Sequence, residues 1–352
     1  MRKFISLMSF MLSFAIFNVN ISAAEINLRI EGDKNTIFEK QFNADYCMEA
    51  LQDIERIYNI PIVFSGNTSD YGIYSINGID NGYIDKTSKW QGFILHNGKI
   101  VNLSENFNRA LSDNDSIVIY YGNEDTVIPY LNYNENENNI NINAYKLKYD
   151  EGITNEGIEG AVFHMLSPEG VMTVATTNKE GNVSFELSKD GYYVFYGEMY
   201  SENSVPKMVK TETVKYLNGF DNSEKAITRG EFACLLSTYY GIKGTSDVLY
   251  HDVDNDNPFY NYVMALSSKG IMVGYGDGSF GVDKPINIYE ASAIIERIQN
   301  KYVAPNKDIE NIPDWALKGV TLMINEGIFE KDIDFSDCVT VDIARKMIEN
   351  ID

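Results

Sequence analysis

The sequence is poor in cysteine, histidine, tryptophan and positive charge, and each shortage excludes something. Three cysteines, Cys47, Cys234 and Cys338, are too few and too far apart for a disulfide framework or a cysteine-based zinc site. Three histidines, His96, His164 and His251, fall in three separate stretches, and none stands in a zinc-helix motif. Neither a Gly-x-Ser-x-Gly elbow nor a Gly-x-x-x-x-Gly-Lys phosphate loop occurs. With 51 acidic residues in the chain, no particular carboxylate pair can be singled out for glycan hydrolysis. The chain therefore reads as a non-enzyme, with no catalytic residue, no metal ligand set and no cofactor. Only 29 Lys and Arg oppose those acids, giving a net charge of −22, which repels nucleic acid and anionic membranes over the general surface.

Long apolar runs are also scarce. One runs from Phe4 to Phe17 behind Arg2 and Lys3, and the small residues Ser22, Ala23 and Ala24 follow it. That layout predicts a secretory signal peptide over 1–24, because the run is shorter than the roughly 20 residues of a membrane span. No transmembrane segment is expected in the mature chain, and loss of Arg2 and Lys3 moves its charge to −24.

What is present is a globular composition, 44% hydrophobic, in a chain of 352 residues. That is more than one core usually holds, so two or three domains are expected. Over 25–122, Ile26, Leu28 and Ile30 alternate with polar residues, and a second strand follows the turn Gly32-Asp33-Lys34-Asn35. Asp45 caps a helix with Met48, Leu51 and Ile54 on one face, and short strands return at 71–76, 92–96 and 117–121. Residues 123–138, with Asn132-Tyr133-Asn134-Glu135-Asn136-Glu137-Asn138, lack apolar periodicity and read as a linker. From 139 to 213, alternating runs between regular turns predict a small all-β sandwich.

The first of these segments resembles the transcobalamin C-terminal-like β-grasp domain, through Leu28-Arg29-Ile30-Glu31-Gly32, Tyr74-Ser75-Ile76-Asn77-Gly78, Trp90-Gln91-Gly92-Phe93 and Tyr120-Tyr121-Gly122. That resemblance implies an α+β domain and, as an alternative function, capture of a small corrinoid-like ligand. Trp90 and Phe93 also read as core residues at a strand start, and His96 as a turn residue. The sandwich is similar to the prealbumin-like, Cna-B-like repeats of Gram-positive adhesins, through Gly160-Ala161-Val162-Phe163, 176–185 and Gly191-Tyr192-Tyr193-Val194. A spacer role suits it.

After residue 214 the chain repeats itself. The block Ile227-Thr228-Arg229-Gly230-Glu231 recurs at Ile286-Asn287-Ile288-Tyr289-Glu290 and again near Asp342, with acidic anchors Glu231, Glu290 and Asp342 at intervals of 290 − 231 = 59 and 342 − 290 = 52. A second unit, His251-Asp252-Val253 with Phe259-Tyr260 and 265–271, has its counterpart in Ile312-Pro313-Asp314-Trp315-Ala316 and 324–328. Each repeat reads as helix, loop, helix, with glycine ending the first helix.

These repeats, with the run Gly270-Ile271-Met272-Val273-Gly274-Tyr275-Gly276-Asp277-Gly278-Ser279-Phe280-Gly281, resemble the S-layer homology family over 214–352. The resemblance implies a mostly α-helical three-lobed module that tethers exported proteins to anionic secondary cell-wall polysaccharide on a Gram-positive surface. Carried over by position, the polysaccharide-binding residues are Arg229, Glu231, Asp252, Gly274, Tyr275, Gly276, Asp314 and Trp315. Arg229 would be an anion clamp, its fork on a carboxylate and helix amides beside it. The Arg229 position is held by Ile288 in the second unit and by Thr340 or Val341 in the third, and the third unit has Glu330-Lys331-Asp332-Ile333-Asp334 in place of the glycine-rich loop. The expected whole is multidomain: α+β, then an all-β sandwich, then helices. The run Asp252-Val253-Asp254-Asn255-Asp256 resembles the start of a calcium loop, but Asn257 and Val263 stand where glycine and a carboxylate are needed.

Overall fold

The computed structural model describes residues 23–66, 72–136, 138–149 and 151–351. All but the last two residues of the expected signal segment lie outside this range. The described chain is a β-rich protein in two compact units.

The first unit holds β1 (Ala24–Glu31), β2 (Thr36–Ala44), α1 (Cys47–Tyr58), β3 (Ile62–Ser65), β4 (Gly72–Ile76), β5 (Ile79–Asp80), β6 (Lys89–His96), β7 (Lys99–Asn102) and β8 (Ser116–Gly122). Five strands form one sheet in the order β2-β1-β8-β6-β7, with β1 and β8 parallel, and β3-β4-β5 form a second, smaller sheet. Alternation puts Ile26, Leu28 and Ile30 on the buried face, against Leu51 and Ile54 of α1. The cap of α1 is Tyr46 rather than Asp45, whose N–H instead donates to Glu49 Oε2 of the first turn. Trp90 is core: it donates from Nε1 to the Ile79 carbonyl at 2.6 Å and packs edge-on to Tyr121. His96 sits 2.6 Å from the buried carboxylate of Asp115.

The second unit begins with β9 (Ile128–Asn136), β10 (Asn139–Lys148), β11 (Gly152–Gly157), β12 (Val162–Leu166), β13 (Met172–Thr176), β14 (Asn182–Glu186), β15 (Gly191–Tyr200), β16 (Pro206–Met208) and β17 (Val214–Asn218). One sheet is β11-β10-β14 with β9 on β10; the other is β13-β12-β15-β16 with β17 on β15. Ile140, Ile142, Phe163, Phe185 and Phe195 fill the core they share. The stretch expected as a linker is thus corrected. From Ile128 to Asn136 it pairs with β10 along its length, because its asparagines face outward while Leu131 and Tyr133 pack against the sandwich core. The expected boundary at 213/214 falls on the first residue of β17, a strand within the sheet.

Five helices follow: α2 (Arg229–Tyr239), α3 (Tyr260–Ser268), α4 (Ile288–Gln299), α5 (Leu317–Asn325) and α6 (Val341–Glu349). Three buried residues close them into a ring. The N–H of Ile227 donates to Val339 (2.9 Å), that of Ile286 to Ile227 (3.2 Å) and that of Val339 to Ile286 (2.8 Å). A helix cap follows each of them, Thr228, Asn287 and Thr340, and each cap side chain accepts the third helical N–H. The first two N–H groups of each helix go to the segment leading into the next. Arg229 and Gly230 donate to Lys284 and Val282, Ile288 and Tyr289 to Asp337 and Phe335, and Val341 and Asp342 to Lys225 and Ser223. This cyclic exchange satisfies the donors that helix starts otherwise leave orphaned.

The ring also corrects the repeat register. Caps recur at intervals of 287 − 228 = 59 and 340 − 287 = 53. Asp342 is the second helical residue of α6, not the third as Glu231 and Glu290 are in theirs, and the counterpart of Arg229 is Val341, Thr340 being the cap. Gly319 sets the approach of α5 to α4, since a Cβ there would lie 2.4 Å from the Ser292 carbonyl carbon and oxygen. Gly319→Ala is therefore expected to cost about 2 kcal/mol, measured by urea unfolding.

Tyr192, near the start of β15, enters the helical core. It is 2% exposed, donates its N–H to Thr238 Oγ1, and packs edge-on to Tyr239, while its hydroxyl donates to Glu349 at 2.6 Å. The helical part is therefore joined to the sandwich through β15, in one compact unit.

Candidate functional site

The glycine-rich segment after α3 folds back over the first turn of α2. Asp252 pins it: its two carboxylate oxygens accept the N–H groups of Phe280 (2.7 Å), Gly281 (2.6 Å) and Val282 (3.2 Å). Partial burial pushes the Asp252 carboxyl up, but those three donors outweigh it and hold it below the usual carboxylate range. At the tip, Tyr275 donates its N–H to Ser279, and Asp277 Oδ1 accepts both the N–H and the hydroxyl of Ser279. Those two Ser279 bonds lower the Asp277 pKa.

Arg229 lies under this loop, only 5% exposed. Its Nε donates to the Phe280 carbonyl and its Nη2 to the Val273 carbonyl, each at 3.0 Å, and its Cζ is 5.0 Å from the ring centroids of both Tyr275 and Phe280. The fork expected to face an outside anion therefore faces the loop backbone. The helix amides expected beside it are likewise spent, on Lys284, Val282 and Thr228. An arginine fits here because it is the side chain that can carry charge and several directed N–H donors into a nest of carbonyls.

The structure brings Arg229, Asp252, Gly274, Tyr275 and Gly276 together. Gly274 is packed rather than open, since a Cβ would meet the Ser279 carbonyl and the Tyr250 ring at 2.4 Å, whereas nothing lies within 4 Å of that position on Gly276. Glu231 is spent on the capping box with Thr228 and on Lys225 Nζ at 2.6 Å. Asp314 and Trp315 stand just before α5 instead. Asp314 is exposed, and Trp315, 57% exposed, packs edge-on to Tyr289 of α4. The reason lies at the second helical position. In α2 it is Gly230, which lets Phe259 tuck in where a Cβ would meet it at 2.6 Å; in α4 it is Tyr289.

Two contributors are missed by sequence reasoning. The Tyr250 hydroxyl oxygen accepts the Gly274 N–H at 3.2 Å. Lys284, three residues beyond the end of the recognised glycine-rich run, places Nζ 4.5 Å from the Tyr275 ring centroid. Tyr275 thus borders two cations. Burial raises its pKa, Arg229 opposes that rise, and Glu290, Tyr289 and Asp277 add to it.

Among the described residues no group of three or more His, Cys, Asp or Glu side chains is arranged to hold a metal. Cys47 and Cys234 are buried, which pushes both thiols up to about 12. No helix among the described residues is long and apolar enough to cross a membrane. No curated protein matches the chain. Residues 249–287, the pinned loop together with its Asp252 anchor and the α3 that precedes it, match the S-layer homology domain.

Proposed function

We propose that this is a non-catalytic, exported surface protein tethered without covalent bonds to anionic secondary cell-wall polysaccharide, displaying its β-rich parts outward. The observation that carries this reading is the S-layer homology match at 249–287, falling on a glycine-rich loop pinned around a buried arginine. On this reading α2–α6 are a three-lobed helical module of that family, the first unit is a β-grasp domain of transcobalamin type, and the sandwich is a prealbumin-like spacer. The cyclic bonding of Ile227, Ile286 and Val339 supports three equivalent lobes, and the parallel pairing of β1 with β8 beside α1 supports a β-grasp.

Only the first lobe keeps the arginine; Ile288 and Val341 replace it in the others. One groove is therefore assigned to the polymer. The full chain is expected to sediment with wall sacculi, and sacculi stripped of acidic sugar groups are expected to leave it in solution. Arg229→Ala should reduce sedimentation at least tenfold by releasing the loop. Equal sedimentation of the full chain with intact and stripped sacculi would sink the proposal.

A further inference from the structure

Resting on the wall-polymer reading, we propose that Lys284 is the cation that meets the polymer's carboxylate, and that Arg229 is a positioning residue that holds the loop and Tyr275 in place. The two cations near Tyr275 differ in what they have left to give. Arg229 is buried, and both Nε and Nη2 are occupied by backbone carbonyls. Using that fork on a ligand would orphan the carbonyls of Phe280 and Val273, a cost comparable to the bonds gained. Lys284 is exposed, and no carboxylate of the described residues lies within 4.0 Å of its Nζ.

The acids around Lys284 are turned to other work. Asp252 holds three loop amides, and Asp277 holds Ser279, whose bonds lower its pKa with a smaller contribution from Lys284. Glu290 closes the cap of α4, and Asp283 is exposed beside Lys284 in the chain. The lysine stem is placed by Gly281, at φ 77°, where a Cβ would lie 2.6 Å from Tyr275 Cε2 and 3.2 Å from Lys284 Cδ. Only glycine lets the tyrosine edge and the lysine stem converge over one backbone position. The result is a partly exposed aromatic face beside the ammonium of an exposed lysine. That pair suits a sugar ring carrying a carboxylate: the ring on Tyr275, the carboxylate at Nζ. The loop carbonyls that hold Arg229 explain why a single lysine, and not the arginine, is left to overcome the repulsion between a chain of −22 and an anionic polymer.

The test compares the full chain with Lys284→Gln, Lys284→Arg and Arg229→Gln, reading sedimentation with intact and acid-group-stripped sacculi together with the thermal midpoint. Lys284→Gln should weaken binding about tenfold, the loss of one charge-assisted contact, with its midpoint unchanged; Lys284→Arg should restore most of the binding. Arg229→Gln should lower binding and midpoint together. Failure of the unmutated chain to bind intact sacculi overturns the wall-polymer reading. Binding by that chain with no loss in Lys284→Gln overturns the role of Lys284 alone.

Discussion

Tyr192→Ala is expected to lower the unfolding free energy of the sandwich-and-helix unit by about 4 kcal/mol, in the range for deleting a large buried aromatic. Tyr192 is 2% exposed at the junction of β15 with α2 and α6, where it touches Tyr239 and ends on Glu349. Alanine leaves a cavity that two rigid elements cannot close. Tyr192→Phe keeps the ring and loses the hydroxyl bond, so about 1 kcal/mol is expected. Urea unfolding followed by both tyrosine fluorescence and far-ultraviolet circular dichroism measures this. A loss under about 1 kcal/mol for the alanine variant would mean that the helices fold independently of the sandwich. The same junction predicts that a fragment beginning at 214 is unstable, because it lacks β15, the partner of β17.

Asp252→Ala is the second large effect, about 3 kcal/mol at neutral pH, because three N–H groups of buried residues lose their charged acceptor together. Its pH dependence has a definite sign. The folded pKa of Asp252 is lowered, so its contribution is fully present above the unfolded value of about 3.9 and fades as pH falls through the lower folded value. The stability difference between the full chain and the variant should therefore be constant from pH 7 down to about 5 and shrink below pH 4. A difference that does not vary with pH would show that Asp252 supports the loop by packing rather than by its charge. Wall binding by the variant should fall as well, since Gly281 and Val282 carry the turn that positions Lys284.

Much of the local order is written in the residues. Alternation at Ile26, Leu28 and Ile30 gives β1, Thr228 with Glu231 gives the cap of α2, and the glycine-rich run gives the loop over it, because each depends only on near neighbours and on backbone preference. The asparagine-rich 128–136 strand was illegible for the opposite reason. Its outward side chains carry no apolar signal, and only pairing with β10 makes it a strand. Asp252 and Arg229 stand out by type, yet their work depends on where a loop about thirty to fifty residues away crosses them.

The composition by itself settled that this is an acidic, cysteine-poor chain, and the repeats set where its helices start. Tertiary structure decided which cation is committed and which is free. On paper the guanidinium at the helix start stands out, and the lysine before Pro285 does not. Folding places the first among carbonyls that accept from its Nε and Nη2 and leaves the second beside Tyr275 at the surface, because a buried charge is costly unless it is hydrogen-bonded.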